Sequence, residues 1–346
     1  MEEIRVGLIG YGTAGAVFHA PLIEAAAGLR LAAVVTRDPG RQAEVSARYG
    51  ARPVSDPAAL WELCDLVVVA SPNRTHASLA AEALERGRAV VVDKPFARTA
   101  EEARAVTRLA RERGLLLTVF QNRRWDGDFR TVRALVAAGA LGEVRRLESR
   151  FERWRPVPKG GWRETGGPGD AAGLLYDLGS HLIDQALVLL GPVTHVYCES
   201  DVRRAGVAAD DDTFVALTHA NGARSHLWAS AVTPSLGPRF RVLGSTAAYL
   251  KYGMDAQEER LRAGRSPGAA GFGEEDEERW GVLGAGDDLR EVPTEPGAYL
   301  DFYRGVESAL RAGGPPPVTP ESAVAALEVI EAARRSAAGH GVVRIG

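Results

Sequence analysis

The amino-acid sequence predicts an α/β protein: a doubly wound parallel sheet first, then an α+β part built on a large, open, mixed or antiparallel sheet. Two observations predict the first part. Its apolar runs lack polar alternation, which is typical of parallel strands buried on both faces, and helical patterns separate them. A third observation predicts the second part, since after residue 120 short strand patterns follow one another between turn signals.

The strands predicted for the N-terminal part are rich in Val, Leu and Ile: Ile4–Ile9, Arg30–Val35, Leu66–Ala70, Ala89–Val92 and Leu115–Phe120. Helical patterns lie between them: Thr13–Ala27, Arg41–Tyr49, His76–Arg86 and Thr99–Arg113. Thr99 and Glu102 have the spacing of a capping box, which marks the start of the last of these helices. The first domain is therefore predicted to comprise residues 1–121, and the second residues 122–346.

The second domain is predicted to alternate helices, strands and one long loop. Before residue 191 we expect a short helix, a strand, a Gly/Pro-rich loop and a long helix: Arg133–Ala138, Val144–Phe151, Pro156–Gly173 and Leu174–Leu190. Five strand patterns follow: Val193–Glu199, Thr213–His219, Ser225–Ala231, Phe240–Leu243 and Ala248–Tyr252. Residues 264–297 are rich in Gly, Pro and acids and predict a surface excursion before two final helices, Ala298–Ala312 and Pro320–Ala338.

Composition excludes several classes of function. Of the 346 residues, 45% are hydrophobic and 25% charged, and the net charge of -3 predicts neither a nucleic-acid nor a membrane partner. Two cysteines, Cys64 and Cys198, fit a reducing cytoplasm and no disulfide framework, and neither has a neighbour at metal-ligand spacing, so no metal site is expected. A strand pattern begins within four residues of the start, which leaves no room for a signal peptide, and no apolar run is long enough to span a membrane.

The first motif that carries chemistry is Gly10-Tyr11-Gly12-Thr13-Ala14-Gly15. This G-x-G-x-x-G follows the first predicted strand and opens a helix, which is the context that dinucleotide binding requires. Gly10 allows the tight turn, Gly12 lets a pyrophosphate approach the backbone, and Gly15 lets helix and strand pack closely. A structural glycine turn is the alternative, and the position of the motif in the first βαβ unit favours a nucleotide site.

The end of the second strand predicts which nicotinamide coenzyme binds. An NAD enzyme usually places an acid there to bind the ribose hydroxyls, whereas this chain has Thr36 followed by Arg37. Since a guanidinium pairs with a 2′-phosphate and stacks on adenine, we expect NADP. NAD stays open as the alternative, because a shift of one residue would make Asp38 the ribose acceptor.

Two more motifs stand at strand ends, where ligands of open α/β sheets bind. Ser71, Pro72 and Asn73 are placed to contact the nicotinamide, although this segment could simply start the helix at His76. Asp93 and Lys94 end the next strand. Only three of the 42 basic residues are Lys, so a retained Lys suggests a specific role, and an amine can exchange a proton where Arg cannot.

An acid and a base share a predicted helix. Asp177 and His181 stand at i and i+4, which places both on one helix face. A carboxylate next to an imidazole fixes its tautomer and raises its basicity, and His is the usual general base at neutral pH. A helix-surface ion pair is the alternative, and Asp184 at i+3 is a competing partner.

Together these motifs resemble the Gfo/Idh/MocA family of oxidoreductases over essentially the whole chain. The resemblance is carried by Gly10–Gly15, Ser71–His76, Asp93-Lys94-Pro95 and Gly173–His181, with Asp93 in place of the usual Glu. Three segments look closest to the branch of NADP-dependent scyllo-inositol dehydrogenases: Phe18–Leu22, Gln121–Phe129 and Tyr176–His181.

The resemblance implies a Rossmann domain, a C-terminal sheet that forms the interface of a homodimer or homotetramer, and a cis bond before Pro95. It implies an enzyme that transfers a hydride between nicotinamide and a cyclic polyol or sugar. His181 would exchange the hydroxyl proton, Asp177 would orient His181, and Lys94 would stabilise the reacting oxygen, which is our expectation for the catalytic residues.

We expect the remaining site residues to bind coenzyme and substrate. The coenzyme residues are those of the glycine turn with Thr36, Arg37, Ser71, Pro72, Asn73, His76, Asp93 and Lys94. Polar and aromatic side chains suited to a sugar are Arg123, Arg124, Trp125, Trp162, Arg163 and Tyr176. Alternatives are a reductase of an anhydro-sugar, aldose or diol, or a regulator that senses NADP without catalysis.

Overall fold

A computed structural model describes residues 2–345. These residues form two compact units. The first unit contains the chain up to Trp125 together with Ala256–Gly273 and Ala298–Val324, and the second contains Asp126–Asp255, Glu274–Gly297 and the chain from Ala325 onward.

Within the described residues the strands are, in chain order, β1 (Ile4–Ile9), β2 (Leu29–Val35), β3 (Arg52–Val54), β4 (Leu66–Val69), β5 (Ala89–Asp93), β6 (Leu117–Phe120), β7 (Val144–Glu152), β8 (Val193–Asp201), β9 (Asp212–His219), β10 (Arg224–Ser230), β11 (Phe240–Gly244), β12 (Ala248–Lys251), β13 (Gly281–Ala285), β14 (Asp288–Val292) and β15 (Val343–Arg344). The α-helices are α1 (Ala20–Ala25), α2 (Pro39–Tyr49), α3 (His76–Glu85), α4 (Ala100–Arg113), α5 (Gly127–Ala137), α6 (Trp162–Thr165), α7 (Ser180–Leu190), α8 (Gln257–Arg262), α9 (Leu300–Ala312) and α10 (Pro320–Gly339). Two helices begin with a π-helical turn, Ala14–His19 before α1 and Leu175–Gly179 before α7. Short 3-10 turns lie at Pro57–Ala59, Trp61–Leu63, Asn73–Thr75, Asn122–Trp125, Pro168–Asp170 and Glu277–Arg279.

The sheet of the first unit is parallel throughout, in the order β3-β2-β1-β4-β5-β6. Its central strands are apolar and buried because helices cover both faces. The strand order reverses between β1 and β4, and this is where ligands bind in open α/β sheets. The predicted doubly wound sheet is therefore confirmed, with β3 as an additional edge strand.

Segments far along the chain complete the core of this unit. Phe302 on α9 packs edge-on against Phe120 at the end of β6, with ring centroids 4.9 Å apart. The neighbouring Tyr303 lies 6.0 Å from the same ring. Trp125 is tied to α8, since its carbonyl accepts a 3.0 Å hydrogen bond from Gln257. The first unit thus includes Ala256–Gly273 and Ala298–Val324 in addition to the predicted domain. The second of these segments supplies the aromatic side chains that pack on Phe120.

The second unit contains a mixed sheet, ordered β14-β13-β12-β11-β7-β10-β9-β8-β15 within the described chain. Only β7 and β10 pair in parallel among its neighbouring strands. Strand β9 alternates strictly, with Thr213, Val215, Leu217 and His219 buried and the intervening residues partly exposed. This period of two indicates a sheet packed on one face only, and confirms the predicted large, open, mixed sheet.

The structure corrects the prediction for residues 264–297. This stretch is not only a surface excursion, because β13 and β14 form a hairpin that extends the second sheet through pairing of β13 with β12. It also supplies Glu275, which is buried against Lys251. The Lys251 ammonium donates to the carbonyls of Tyr252 and Arg279, each at 2.7 Å, and to Glu275 at 3.1 Å.

The loop prediction for Pro156–Gly173 is also incomplete, because α6 and one 3-10 turn lie within it. One of the two hydrogen bonds of the predicted capping box of α4 is present, because the Thr99 hydroxyl accepts from the Glu102 N–H at 3.1 Å. The reciprocal bond differs from the prediction, because the Glu102 carboxylate accepts from the Arg98 backbone N–H. In the described part of the chain, no helix combines the length and apolarity needed to cross a bilayer.

Candidate active site

The glycine turn joins β1 to the first helix of the sheet. Gly10 has φ +101°, and a Cβ there would lie 2.6 Å from the carbonyl oxygen of Ala70. A Cβ on Gly15 would lie 2.1 Å from the oxygen of Gly10, so both positions require glycine. A Cβ on Gly12 would meet nothing within 4 Å. The backbone is therefore open to approach at Gly12, as binding of a dinucleotide pyrophosphate requires.

Arg37 and Asp38 follow the end of β2, and their side chains differ in their protein contacts. Thr36 is buried, and its carbonyl accepts a 2.9 Å bond from Gln42. Arg37 is exposed and contacts the Ser55 carbonyl from Nε at 3.3 Å. Asp38 caps α2, because its Oδ1 accepts from the Arg41 backbone at 2.9 Å. The Asp38 carboxylate is thus engaged as a helix cap, whereas the Arg37 guanidinium is exposed at the strand end.

The segment after β4 is held by its own hydroxyls and by His76. Ser71 Oγ and Thr75 Oγ1 are 2.6 Å apart, and Thr75 also donates to the Pro72 carbonyl at 2.8 Å. Thr75 therefore fixes the turn instead of capping α3 through its side chain. Asn73 is 8% exposed, and both ring nitrogens of the buried His76 contact backbone carbonyls.

Lys94 follows a buried acid at the end of β5. Asp93 Oδ1 accepts the Lys94 N–H at 2.8 Å and lies 3.8 Å from Nε2 of the fully buried His19. Burial opposes ionisation of Asp93, but its interactions with His19, Lys94 and His76 outweigh burial, so the pKa of Asp93 is lowered. The Lys94–Pro95 bond is cis, as the resemblance implied. Asp93 thus supplies a fixed negative charge beside the Lys94 backbone.

His19 connects this loop to α9. Its Nδ1 lies 2.6 Å from the hydroxyl of Tyr303, and both side chains are fully buried. Burial raises the pKa of Tyr303 well above its usual value, and the Asp93 charge raises it further. Tyr303 therefore stays a neutral phenol, and the Asp93 loop is supported through His19.

In the second unit, Asp177 and His181 lie on the helix that begins with the π-helical turn Leu175–Gly179. Asp177 lies 3.6 Å from Nε of Arg163, and 29% of its side chain is exposed. His181 is buried, and its ring packs 6.2 Å from that of Phe151. The acid is thus the more accessible member of the predicted pair, and it faces a guanidinium.

The start of this helix is fixed by Asp210, a residue that carries no role in the sequence prediction. Asp210 Oδ2 accepts the Leu175 N–H at 2.7 Å and the Thr213 hydroxyl at 3.1 Å. Gly173 has φ +93°, and a Cβ there would lie 1.9 Å from Asp210 Oδ1. Gly173 therefore leaves the space that the Asp210 carboxylate occupies, and Asp210 sets where the helix of Asp177 begins.

The aromatic and basic residues predicted for the sugar pocket of this unit differ in exposure. Arg163 is half-exposed and stacks on Trp162, with its guanidinium carbon 4.8 Å from the ring. Tyr176 is buried, and its hydroxyl accepts from Arg334 at 3.3 Å. Burial raises the pKa of Tyr176. Trp162 and Arg163 are the accessible members of this set.

In the first unit, the predicted substrate residues Arg123 and Trp125 have protein partners. The Arg123 guanidinium is buried, donates to the Tyr299 hydroxyl at 2.8 Å and pairs with Glu258. Burial opposes ionisation of Glu258, but Arg123 and Arg262 lower its pKa to about 2. Trp125 packs edge-on against Phe302, with centroids 5.5 Å apart. The neighbouring Arg124 donates to Ser322 at 3.0 Å.

The structure therefore brings the glycine turn, Arg37, the Ser71–Asn73 segment and Lys94 to the carboxyl ends of one sheet. In the second unit Arg163 contacts both Trp162 and Asp177, and His181 lies on the same helix as Asp177. Sequence reasoning gave no role to His19 or Asp210. Among residues 2–345, no cluster of three or more His, Cys, Asp or Glu side chains is arranged to hold a metal ion.

Comparison with known proteins identifies the class. The model described as "Oxidoreductase family, NAD-binding Rossmann fold" matches residues 4–121, and that of the "GFO/IDH/MocA C-terminal domain" matches residues 129–250. This is an NAD(P)-dependent oxidoreductase, in agreement with the glycine turn and the sheet. The chain belongs to the Gfo/Idh/MocA family, which confirms the resemblance.

Individual relatives span nearly the whole chain. The protein is 40% identical to "Uncharacterized oxidoreductase YdgJ" of Escherichia coli, over 97% of each chain. It is 34% identical to "scyllo-inositol 2-dehydrogenase (NADP(+)) IolW" of Bacillus subtilis, over 97% of this chain and 94% of that one. The solved structure of the putative oxidoreductase yvaA from Bacillus subtilis superposes with a TM-score of 0.94 at 33% identity, covering 100% of this chain and 99% of that chain.

Proposed function

We propose that this protein is an NADP-dependent dehydrogenase of a cyclic polyol of the scyllo-inositol type. The observation that carries the proposal is the similarity to the scyllo-inositol dehydrogenase IolW over 97% of the chain, combined with a lysine at the end of β5 and an acid and imidazole on one helix. A dehydrogenase of CH–OH groups needs both a group that takes the hydroxyl proton and a donor for the oxygen.

The proposed roles follow from the chemistry of each side chain. NADP, when bound, supplies the acceptor for the hydride that leaves the carbinol carbon. His181 would take the hydroxyl proton as that carbon is oxidised to a ketone, and Asp177 would orient the imidazole. The Lys94 ammonium would donate a hydrogen bond to the oxygen as negative charge develops on it. Asn73 and Pro72 would position the nicotinamide.

The preference for NADP rests on Arg37. Asp38 already accepts the N–H of Arg41 in the first turn of α2, so its carboxylate is engaged as a helix cap. Arg37 is exposed at the strand end and makes one weak contact with a carbonyl. A guanidinium in that position suits a 2′-phosphate and does not suit a ribose diol that needs an acceptor.

A spectrophotometric panel tests the proposal. NADP and NAD would each be offered with scyllo-inositol, myo-inositol, glucose and xylose, and reduction followed at the nicotinamide absorbance. We expect the highest kcat/KM for NADP with an inositol. Turnover confined to an aldose would contradict the polyol assignment, and saturable NADP binding without turnover of any substrate would indicate a regulator.

We also propose that the open face of the second sheet joins copies of this chain. That face carries aromatic and basic side chains: Arg150 lies 3.9 Å over the Trp228 ring, and Phe214 lies 5.1 Å from the same ring. A half-exposed aromatic cluster on a sheet covered on one side only is typical of a protein interface. Light scattering after gel filtration should give a dimer or tetramer, and Trp228→Glu should lower the mass. A monomeric wild type would contradict this.

We propose a cytoplasmic location as well. Cys64 and Cys198 are both unpaired, buried thiols. Burial raises the pKa of Cys64 to about 11 and of Cys198 to about 12, so neither is a reactive thiolate. Fractionation of the native host would test the location.

A further inference from the structure

His76 makes two hydrogen bonds that a neutral imidazole cannot make together. Its Nδ1 lies 2.8 Å from the carbonyl oxygen of Pro95, and its Nε2 lies 2.8 Å from the carbonyl oxygen of Ser71. Only 1% of the residue is exposed. A carbonyl oxygen accepts hydrogen bonds and cannot donate one, so each nitrogen must carry a proton to bond its partner.

A neutral ring would leave one nitrogen lone pair pointing at an oxygen at 2.8 Å. That arrangement is repulsive and leaves a buried polar atom unsatisfied, whereas an imidazolium satisfies both nitrogens with charge-assisted bonds. A countercharge is close, because Asp93 at the end of β5 keeps its negative charge through interactions that include His76. Two further basic side chains, His19 and Lys94, interact with this carboxylate.

The two carbonyls belong to the two strand-end segments of the proposed site. Ser71 begins the segment that presents Pro72 and Asn73, and Pro95 directly follows Lys94. Each residue is next to its functional neighbour, so a bond to its carbonyl fixes the backbone from which that neighbour projects. His76 is therefore the link between the coenzyme-binding segment and the lysine segment.

We propose that His76 is a positioning residue held as an imidazolium, and that its two charged hydrogen bonds set the distance between the Ser71–Asn73 segment and Lys94. For the role of Lys94 the proposal rests on the proposed function, whereas the charge state of His76 does not. Its consequence is that coenzyme binding and oxygen stabilisation depend on one buried ring whose two nitrogens are both engaged by backbone carbonyls.

The chain contains a matched comparison in His219, another buried histidine with both nitrogens engaged. Its Nδ1 lies 2.8 Å from the Gly191 carbonyl and its Nε2 lies 2.8 Å from the Ser225 hydroxyl. A hydroxyl can donate to a bare nitrogen, so neutral His219 satisfies both contacts with a single ring proton. Burial lowers the pKa of His219 and keeps it in that state.

The first test is the protonation state in the wild-type protein. With histidine labelled by 15N, the ring-nitrogen resonances of His76 and His219 would be assigned from their absence in His76→Gln and His219→Gln. At neutral pH we expect two protonated nitrogens for His76 and one for His219. One protonated nitrogen on His76 would overturn the proposal, whatever the substrate of the enzyme.

The second test is the effect on the site. We expect His76→Gln, which cannot bridge both carbonyls as a cation, to lower kcat about 10²-fold through misplacement of Lys94, with a smaller change in the KM of the polyol. His219→Gln should leave kcat unchanged. Wild-type kcat in a folded His76→Gln protein would overturn the proposal.

The two proposals fail separately. If the wild-type enzyme turns over no polyol, the proposed function fails. Titration of NADPH fluorescence then still measures the affinity for the coenzyme, which depends on the Ser71–Asn73 segment. In that case we expect about tenfold weaker NADPH binding to His76→Gln than to His219→Gln, which corresponds to the loss of one hydrogen-bonded tether. Equal binding would overturn the positioning role. If His76→Gln does not fold, His76→Asn replaces it in the kinetic and binding measurements, and the 15N spectrum of the wild-type protein still reports the protonation state.

Discussion

Two lysines of this chain stand in contrasting surroundings. Lys251 in the second unit is fully buried, and two carbonyls and the Glu275 carboxylate accept from its ammonium. Lys94 in the first unit is partly exposed at the end of β5, in the crevice where open α/β sheets bind ligands. The same residue type therefore joins backbone segments in one place and stands at a ligand edge in the other.

The difference teaches what the scarcity of lysine means. A compact ammonium with three donors can satisfy three converging acceptors, which a planar guanidinium cannot do in the same space. Retention of Lys thus has a structural reason at Lys251 and a proposed chemical reason at Lys94. The third lysine, Lys159, is exposed, so scarcity alone does not identify a special position, and the surroundings of each lysine decide its role.

The largest expected effect is on folding. Lys251→Met would remove the ammonium partner of the buried Glu275 carboxylate and leave it beside Arg279 at 3.5 Å and the Thr294 hydroxyl at 2.6 Å. We therefore expect the free energy of unfolding to fall by about 3 kcal/mol. Urea unfolding followed by circular dichroism measures it. Lys159→Met, at an exposed lysine, is the matched control and should change stability by less than about 0.5 kcal/mol. Equal stability of the two variants would contradict a structural role for Lys251.

Lys94→Ala should lower turnover and leave stability nearly unchanged. We expect kcat to fall by about 10²- to 10³-fold, because a donor to developing alkoxide charge is lost, while the melting temperature stays near that of the wild type. Steady-state kinetics and thermal melting on the same sample measure both. Lys159→Ala is the control, with unchanged kcat. A folded Lys94→Ala protein with wild-type turnover would remove Lys94 from the mechanism.

Glu258 extends the comparison to pH. Its pKa is lowered to about 2 from the usual 4.5 by Arg123 and Arg262 against the effect of burial. A depressed folded-state pKa means that the contribution to stability is complete above pH 4.5 and is lost as the pH falls toward 2. A pKa shift of this size corresponds to about 3 kcal/mol. Glu258→Gln should therefore be less stable than the wild type near neutral pH, and the difference should shrink on acidification. Glu259→Gln, an exposed neighbour, should show no such convergence.

The smallest effect is expected at Arg37, an exposed charge with one protein contact. Arg37→Ala should raise the KM for NADP about tenfold, the effect of one charge-assisted contact with a phosphate, and leave the KM for NAD unchanged. Arg86→Ala, exposed at the C-terminal end of α3, is the control. A preference of the wild-type protein for NAD would contradict the proposed role of Arg37.

The sequence predicts the first sheet almost strand by strand because burial on both faces leaves uninterrupted Val and Leu runs such as Leu66–Val69. It misses β3, whose three residues include Pro53. It also misses β14, whose residues before Val292 are exposed and mostly charged. The two residues between β13 and β14, Gly286 and Asp287, are a hairpin signal, and the acidic composition of the surrounding stretch obscured it.

For the site, motifs predict residues whose requirement is local. Gly10 and Gly15 need only their own turn, so spacing reveals them. His19 and Tyr303 are 284 residues apart and meet only in the fold. Asp210 lies 35 residues from the Leu175 amide that it binds. No local pattern predicts such pairs, which is why the supports of Asp93 and Asp177 came from the structure alone.

The packing of α9 against β6 has a consequence for biosynthesis. Phe120 and His19 emerge from the ribosome before Phe302 and Tyr303, which pack against them and lie about 180 residues after Phe120. The nascent coenzyme-binding unit therefore keeps an apolar surface uncovered until the α9 segment has been made, a stage at which chaperones act. A gene fragment that stops after codon 121 should accordingly yield an aggregating product.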